Sequence, residues 1–186
     1  MKKLLLTASL IIAVSFQAQE TSETSAERQN DIMISPIELI AGPALNVSYE
    51  RLLNRNSGIG INAVVLLDKE TADSGITSQI APYYRMYFGK KYASGFFVEA
   101  FVPITMSNDS YYNFIYDPQF GVVGSNYNTE KNTTVGIGVG FGGKWVVRNN
   151  IIFEASIGIA RRFGMSDTYD ESAITGKGML GIGYRF

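Results

Sequence analysis

Residues Ile174 to Phe186 read ITGKGMLGIGYRF. Taken at period two, Leu180, Ile182, Tyr184 and Phe186 share one face of a strand, while Lys177, Met179, Gly181, Gly183 and Arg185 share the other. The first face suits hydrocarbon. The second carries two cations, which hydrocarbon rejects at about 2 to 4 kcal/mol for each Lys or Arg near the midplane of a bilayer.

The same two-faced alternation recurs upstream. Its cleanest instance is Thr133 to Val147, with Val135, Ile137, Val139, Phe141 and Trp145 on one face and Gly136, Gly138, Gly140, Gly142 and Lys144 on the other. Counting such segments predicts strands near 32–41, 44–52, 58–67, 77–88, 95–105, 133–147, 151–163 and 174–186. In the first of these the alternation is read with Met33, Ile37 and Leu39 outward and Glu38 inward. The Gly42-Pro43 pair separates the first two strands, Asn54-Arg55-Asn56-Ser57 forms a turn, and Arg148-Asn149-Asn150 closes a hairpin. Links after the second, fourth and sixth strands are short, and those after the third, fifth and seventh are longer. That rhythm suits a barrel with both termini at its short-turn end. An even strand count lets the first strand pair with the last, leaving no backbone edge in hydrocarbon. The predicted fold class is all-β, an eight-stranded antiparallel up-and-down transmembrane β-barrel over residues 32–186.

Assigning faces by alternation sends Glu38, Glu50, Arg85, Glu99, Lys144, Glu154, Arg162, Lys177 and Arg185 into the interior, four acids and five bases. Eight strands enclose a space that side chains just fill, so these groups are expected to pair and plug the barrel without forming a large conducting pore. The inward glycines fit a narrow lumen better than a phosphate-cradling loop, since no helix follows Gly136-Ile137-Gly138 or Gly181-Ile182-Gly183. Tyr49, Phe88, Phe96, Trp145, Tyr184 and Phe186 point outward near the short turns and form one interfacial girdle.

Upstream of the alternating region, residues 1–19 carry Lys2, Lys3 and an apolar run ending near Phe16, the pattern of a secretory signal peptide. Residues 20–31 are polar and aperiodic and read as a flexible spacer. The formal charge of −1 would fall to −3 on losing both leader lysines, so no basic field invites nucleic acid. With no cysteine there is neither a disulfide framework nor a site for lipid attachment, and with no histidine the commonest general base and metal ligand is missing. The loop carboxylates Asp109, Asp117, Asp167, Asp170 and Glu171 lack the spacing of a dedicated calcium site. No cofactor, metal or catalytic residue is expected.

The terminal Gly183-Tyr184-Arg185-Phe186, the leader and the strand-turn rhythm together resemble the small eight-stranded bacterial outer-membrane β-barrels, of the kind of outer membrane protein X and the transmembrane domain of outer membrane protein A. The resemblance implies secretion through a cleaved signal peptide to the outer membrane of a Gram-negative-type bacterium. It also implies an insertion signal at Leu180, Ile182, Tyr184 and Phe186 for the barrel assembly machinery, contact with outer-membrane lipid and lipopolysaccharide, and a monomer. No peptidoglycan-binding domain is expected after the eighth strand. The fold hosts adhesins, anchors and lipid-modifying enzymes alike. The primary reading is a non-enzymatic barrel that displays loops for binding, adhesion or envelope integrity. Its candidate contact residues lie in the longest irregular stretch, Met106 to Asn132, at Tyr111, Tyr112, Phe114, Tyr116 and Tyr127. The same stretch also reads as an extended hairpin over the barrel mouth. One alternative is an enzyme acting on lipid A or phospholipid, but barrel enzymes of that kind resemble one another in using a catalytic histidine, which this chain lacks. A soluble periplasmic ligand-binding barrel is the other, and it would turn its apolar face inward.

Overall fold

A computed structural model describes residues 28–68, 75–148, 150–163 and 173–186. The expected signal peptide and residues 20–27 of the expected spacer lie outside the described residues. The elements run β1 (Asn30–Ser35), α1 (Pro36–Ala41), β2 (Ala44–Asn54), β3 (Ser57–Leu66), β4 (Gly75–Tyr87), β5 (Gly95–Phe101), β6 (Ile104–Asp117), β7 (Gly121–Val147), β8 (Ile151–Phe163) and β9 (Ile174–Arg185).

All the strand pairings are antiparallel, and they close on themselves because β1 pairs with β2 on one side and β9 on the other. Asn30 and Phe186 exchange backbone hydrogen bonds at the end of that seam. The nine strands form a ring of eight because β5 and β6 are one stave, both lying between β4 and β7. The break between them has a chemical cause. Pro103 and Pro82 lack the N–H that a ladder needs, and the stave is carried across the gap by Val102 donating to the Pro82 carbonyl at 3.0 Å.

Register determines the shape of the ring. A hydrogen-bonded row starting at Ile32 passes Tyr49, Ile61, Pro82, Val102, Ile137, Arg161 and Ile174 and returns to the line of β1 at position 42, ten residues nearer the loop end. Ten residues of stagger over eight strands tilts each strand by about 40°, within the usual range for barrels.

The first strand departs from the sequence expectation. Strand structure begins at Asn30 and stops at Ser35, and Pro36 then opens a one-and-a-half-turn helix. Proline cannot donate into a ladder, and its fixed φ suits the first turn of a helix. The faces of the strand are also one residue out of phase with the expectation. Met33 is inside at 1% exposure, packed with Ile152 and Met179, whereas Ile32 and Ile34 face outward. The pairing Met33↔Gly183 sets this phase, and a slip of one residue reverses every side chain. The stretch expected to be irregular, 106–132, is instead mostly strand. β6 and the first half of β7 pair continuously from Ile104↔Val135 to Asp117↔Gly121. Pairing with β8 stops at Val135 and pairing with β4 stops at Asn108, so among the described residues this hairpin projects past the ring.

Inward glycines set how closely the interior packs. A Cβ on Gly138 would lie 2.6 Å from the Phe101 ring, 2.6 Å from the Ala160 side chain and 2.7 Å from the Ile159 carbonyl, closer than real Cβ atoms come. Gly138→Val is therefore expected to lower stability by about 1–3 kcal/mol through overpacking. The urea midpoint of the refolded variant reads this, and a wild-type midpoint would contradict the close packing.

Candidate functional site

The interior holds one connected network of charges, built from side chains that seven different strands send inward. Arg85 of β4 is its hub. Its guanidinium donates to Glu99 at 2.8 and 3.1 Å, to Glu154 at 2.7 and 3.0 Å, and to Glu50 at 3.0 Å. Five donors in a rigid planar fork let one arginine make paired hydrogen bonds to two carboxylates and reach a third, more bonds than the three donors of a lysine supply. The Arg85 head also lies over Phe97 at 4.0 Å and Tyr83 at 4.5 Å, so its faces are covered by rings while its edge meets anions.

From this hub the network runs both ways along the barrel. Toward the chain termini, Lys144 of β7 bridges Glu50 at 2.5 Å and Asp31 at 3.0 Å, and Asp31 accepts a bidentate pair from Arg185 at 2.7 and 2.9 Å. Tyr87 donates to Glu50 at 2.6 Å. Toward the loop end, Lys177 of β9 meets Glu99 at 2.6 Å with the Tyr83 ring 4.3 Å away. Asp31, Glu50, Glu99 and Glu154 balance Arg85, Lys144, Lys177 and Arg185, each at most 5% exposed. Matched signs at these distances keep every one of these groups partnered in a desolvated space.

The terminus end of the network is covered. The link from β4 to β5 folds inward, burying Ala93 completely, and the Tyr92 and Ala93 carbonyls accept two further Arg185 hydrogen bonds at 2.9 and 3.0 Å. Leu52, Tyr87, Ala93 and Phe97 form an apolar layer there. Toward the loop end lies a layer of neutral polar groups: Gln79 accepts from Thr105 at 3.0 Å and from Thr175 at 3.1 Å, and Asn62 donates to Asn46 at 2.8 Å.

Among the residues singled out from sequence, Glu50, Arg85, Glu99, Lys144, Glu154, Lys177 and Arg185 all belong to this network. Arg162 is inside at 7% exposure, nearer the loop end. Glu38 is not in the network, which corrects its assignment. It sits on α1, half-buried, where its carboxylate accepts from Ser35 and from Asn46 at 2.8 Å. Its place as the fourth interior acid is taken by Asp31, which the sequence reading left in the spacer. A signal was present in Asp31-Ile32-Met33-Ile34-Ser35, where the apolar pair Ile32 and Ile34 alternates with Asp31 and Ser35.

The outer face carries the apolar side chains. Leu180, Ile182, Tyr184 and Phe186 are 43–52% exposed there, as are Ile137, Val139, Phe141, Ile157 and Ile159 at 57–65%. On the projecting hairpin Tyr112, Phe114 and Tyr127 continue this outward face. Tyr112 and Tyr127 are paired across the strands with ring centroids 5.2 Å apart, and Tyr116 follows after a bulge. Tyr111 points to the opposite side and is half-buried. Tyr112, Phe114, Tyr116 and Tyr127 are 52–72% exposed.

No protein-family model matches the chain, and no curated protein matches it. Among solved structures, the N-terminal β-barrel domain of OprF from Pseudomonas aeruginosa is similar at 15% identity and a TM-score of 0.41, over 86% of this chain and 96% of that one. The fold described above rests on the strand pairings themselves.

Proposed function

We propose that this chain is a small non-enzymatic outer-membrane β-barrel with a plugged interior, displaying the β6–β7 hairpin as a binding surface. One observation carries the reading: the ring is apolar outside and charged inside. A soluble carrier needs the reverse, and about 25 cal/mol per Å² disfavours leaving a wide apolar belt in water. In hydrocarbon the same belt is at rest, and ring closure leaves no backbone edge there. The mutual pairing of eight interior charges, with a folded-in turn beneath them, supports a structural core over an ion path or paired catalytic carboxylates. The absence of histidine supports a non-enzymatic role.

On this reading both termini face the periplasm and the hairpin stands outside the cell. Outer-membrane lipid and lipopolysaccharide contact the belt, the barrel assembly machinery engages Leu180, Ile182, Tyr184 and Phe186, and the barrel acts as a monomer. Exposed tyrosines suit a contact surface, since each offers apolar area and a hydroxyl with few rotamers to freeze. Replacing Ser110–Asn128 with a short Gly-Ser turn is expected to leave a detergent-extracted protein whose gel mobility still shifts on heating, and to abolish binding to cell surfaces. Undiminished binding would rule out the hairpin, and release of the wild-type protein from cells without detergent would rule out the membrane location.

A further inference from the structure

The outer surface is not uniformly convex. Over β7, β8 and β9 it sinks into a depression of about 910 Å³ whose walls include Val139, Phe141, Ile157, Ile159 and Gly176. Packing on the inner side accounts for it. Cβ atoms on Gly142 and Gly158 would lie 2.6 Å and 2.7 Å from the Phe97 and Phe101 rings, so the wall of the ring rests directly on those aromatics. Outside, β9 presents glycine at the two positions that face Ile159 and Ile157, Gly176 and Gly178.

The depression follows two hydrogen-bonded rows. One joins Tyr84, Ala100, Val139, Ile159 and Gly176, and the parallel row runs from Met86 to Gly178. Four interstrand steps make each row about 19 Å long. Because the register climbs toward the loop end from β1 to β9, the rows descend from Gly176 toward Tyr84, by about 12 Å at the 40° tilt. One leaflet of a bilayer core is about 15 Å deep.

Arg161 stands at the upper end of this path. It points outward, is exposed, and pairs in the sheet with Ile174, which also lines the depression. It makes no ion pair among the described residues. Ile137, Phe163 and Ile174 surround it, each 54–62% exposed, so its charge emerges within an apolar belt. A guanidinium there favours an anion beside it, and a lipid phosphate matches its fork geometry.

We propose that the depression seats an acyl chain of one anionic membrane lipid whose phosphate pairs with Arg161. This rests on the membrane reading above. A lipid is favoured over a second copy of the chain because the site is a descending slot of about leaflet length with, among the described residues, a single cation at its head.

The test is native mass spectrometry of the full chain released from bilayers of phosphatidylglycerol and phosphatidylcholine. Wild type is expected to retain one phosphatidylglycerol in preference to phosphatidylcholine. Arg161→Gln should lower that retention about tenfold, the scale of one charge-assisted hydrogen-bonded contact. Gly176→Ile should lower it similarly by filling the slot, and without a backbone clash, since a Cβ there meets nothing nearer than 3.5 Å. Arg148→Gln, at the opposite end, should leave it unchanged. Equal retention by wild type and Arg161→Gln, or full retention by Gly176→Ile, would overturn the site. Lipid-free dimers would assign the face to a second copy instead. Failure of wild type to insert into the bilayers would instead refute the membrane reading itself, and that outcome is scored separately by the heat-shift of gel mobility.

Discussion

Arg85→Ala is expected to lower the unfolding free energy by about 3–5 kcal/mol, the cost of leaving buried charge uncompensated. Domains are typically stable by only about 5–15 kcal/mol, so much of the folded population would be lost. Arg85 is 1% exposed and is the hydrogen-bonding partner of Glu50, Glu99 and Glu154 together. Removing it leaves three carboxylates facing one another with Lys144 and Lys177 as the nearest cations, and no solvent reaches them. Arg85→Lys should recover part of the loss, because it restores the charge but offers three donors in place of five and no bidentate fork. Urea unfolding followed by Trp145 fluorescence is a clean readout, since this is the chain's single tryptophan. An Arg85→Ala midpoint equal to wild type would show that the network does not hold the ring together.

Asp31→Ala should cost a similar amount, about 3–5 kcal/mol, whereas Glu38→Ala should cost at most about 1 kcal/mol. Asp31 is completely buried and is shared by Arg185 and Lys144, so its loss leaves Arg185 with no carboxylate and removes one of the two acids that Lys144 bridges. It also sits on the seam, paired with Arg185 in register, and its loss weakens the contact that closes the ring. Glu38 differs because it is half-buried and its partners are neutral groups with other acceptors. Ser35 reaches the Leu180 carbonyl and Asn46 the Gly178 carbonyl, each at 3.0 Å. Comparing the two variants by the same urea titration decides between the two acids. A larger effect from Glu38→Ala would sink this assignment.

Most of the ring was legible locally because the signal that decides it is local. Alternation in Thr133–Val147 and Ile174–Phe186 distinguishes inward from outward without reference to any partner strand. For every strand after the first, the inward positions read from sequence are those the ring encloses. The first strand misled for an equally physical reason. Ile32 to Ala41 has apolar residues in both phases, so alternation alone does not choose between them, and Pro36 breaks the pattern midway. The irregular appearance of Met106 to Asn132 likewise came from its Asn, Asp, Ser and Gly content, which disfavours strands in isolation. Continuous pairing from Ile104 to Asp117 with its partner strand overrides that propensity.

The sequence by itself determined the alternation, the even number of staves and the identity of most charges that must avoid hydrocarbon, since each follows from period two and the cost of burying charge. Tertiary structure alone decided which charge meets which. Asp31 and Arg185 lie 154 positions apart in the chain, and only ring closure brings them to 2.7 Å. The phase of β1, the hub role of Arg85 and the slot beside Arg161 all come from register between strands. Register is a non-local quantity, set by how glycines and large side chains fit across the interior, and no single segment encodes it.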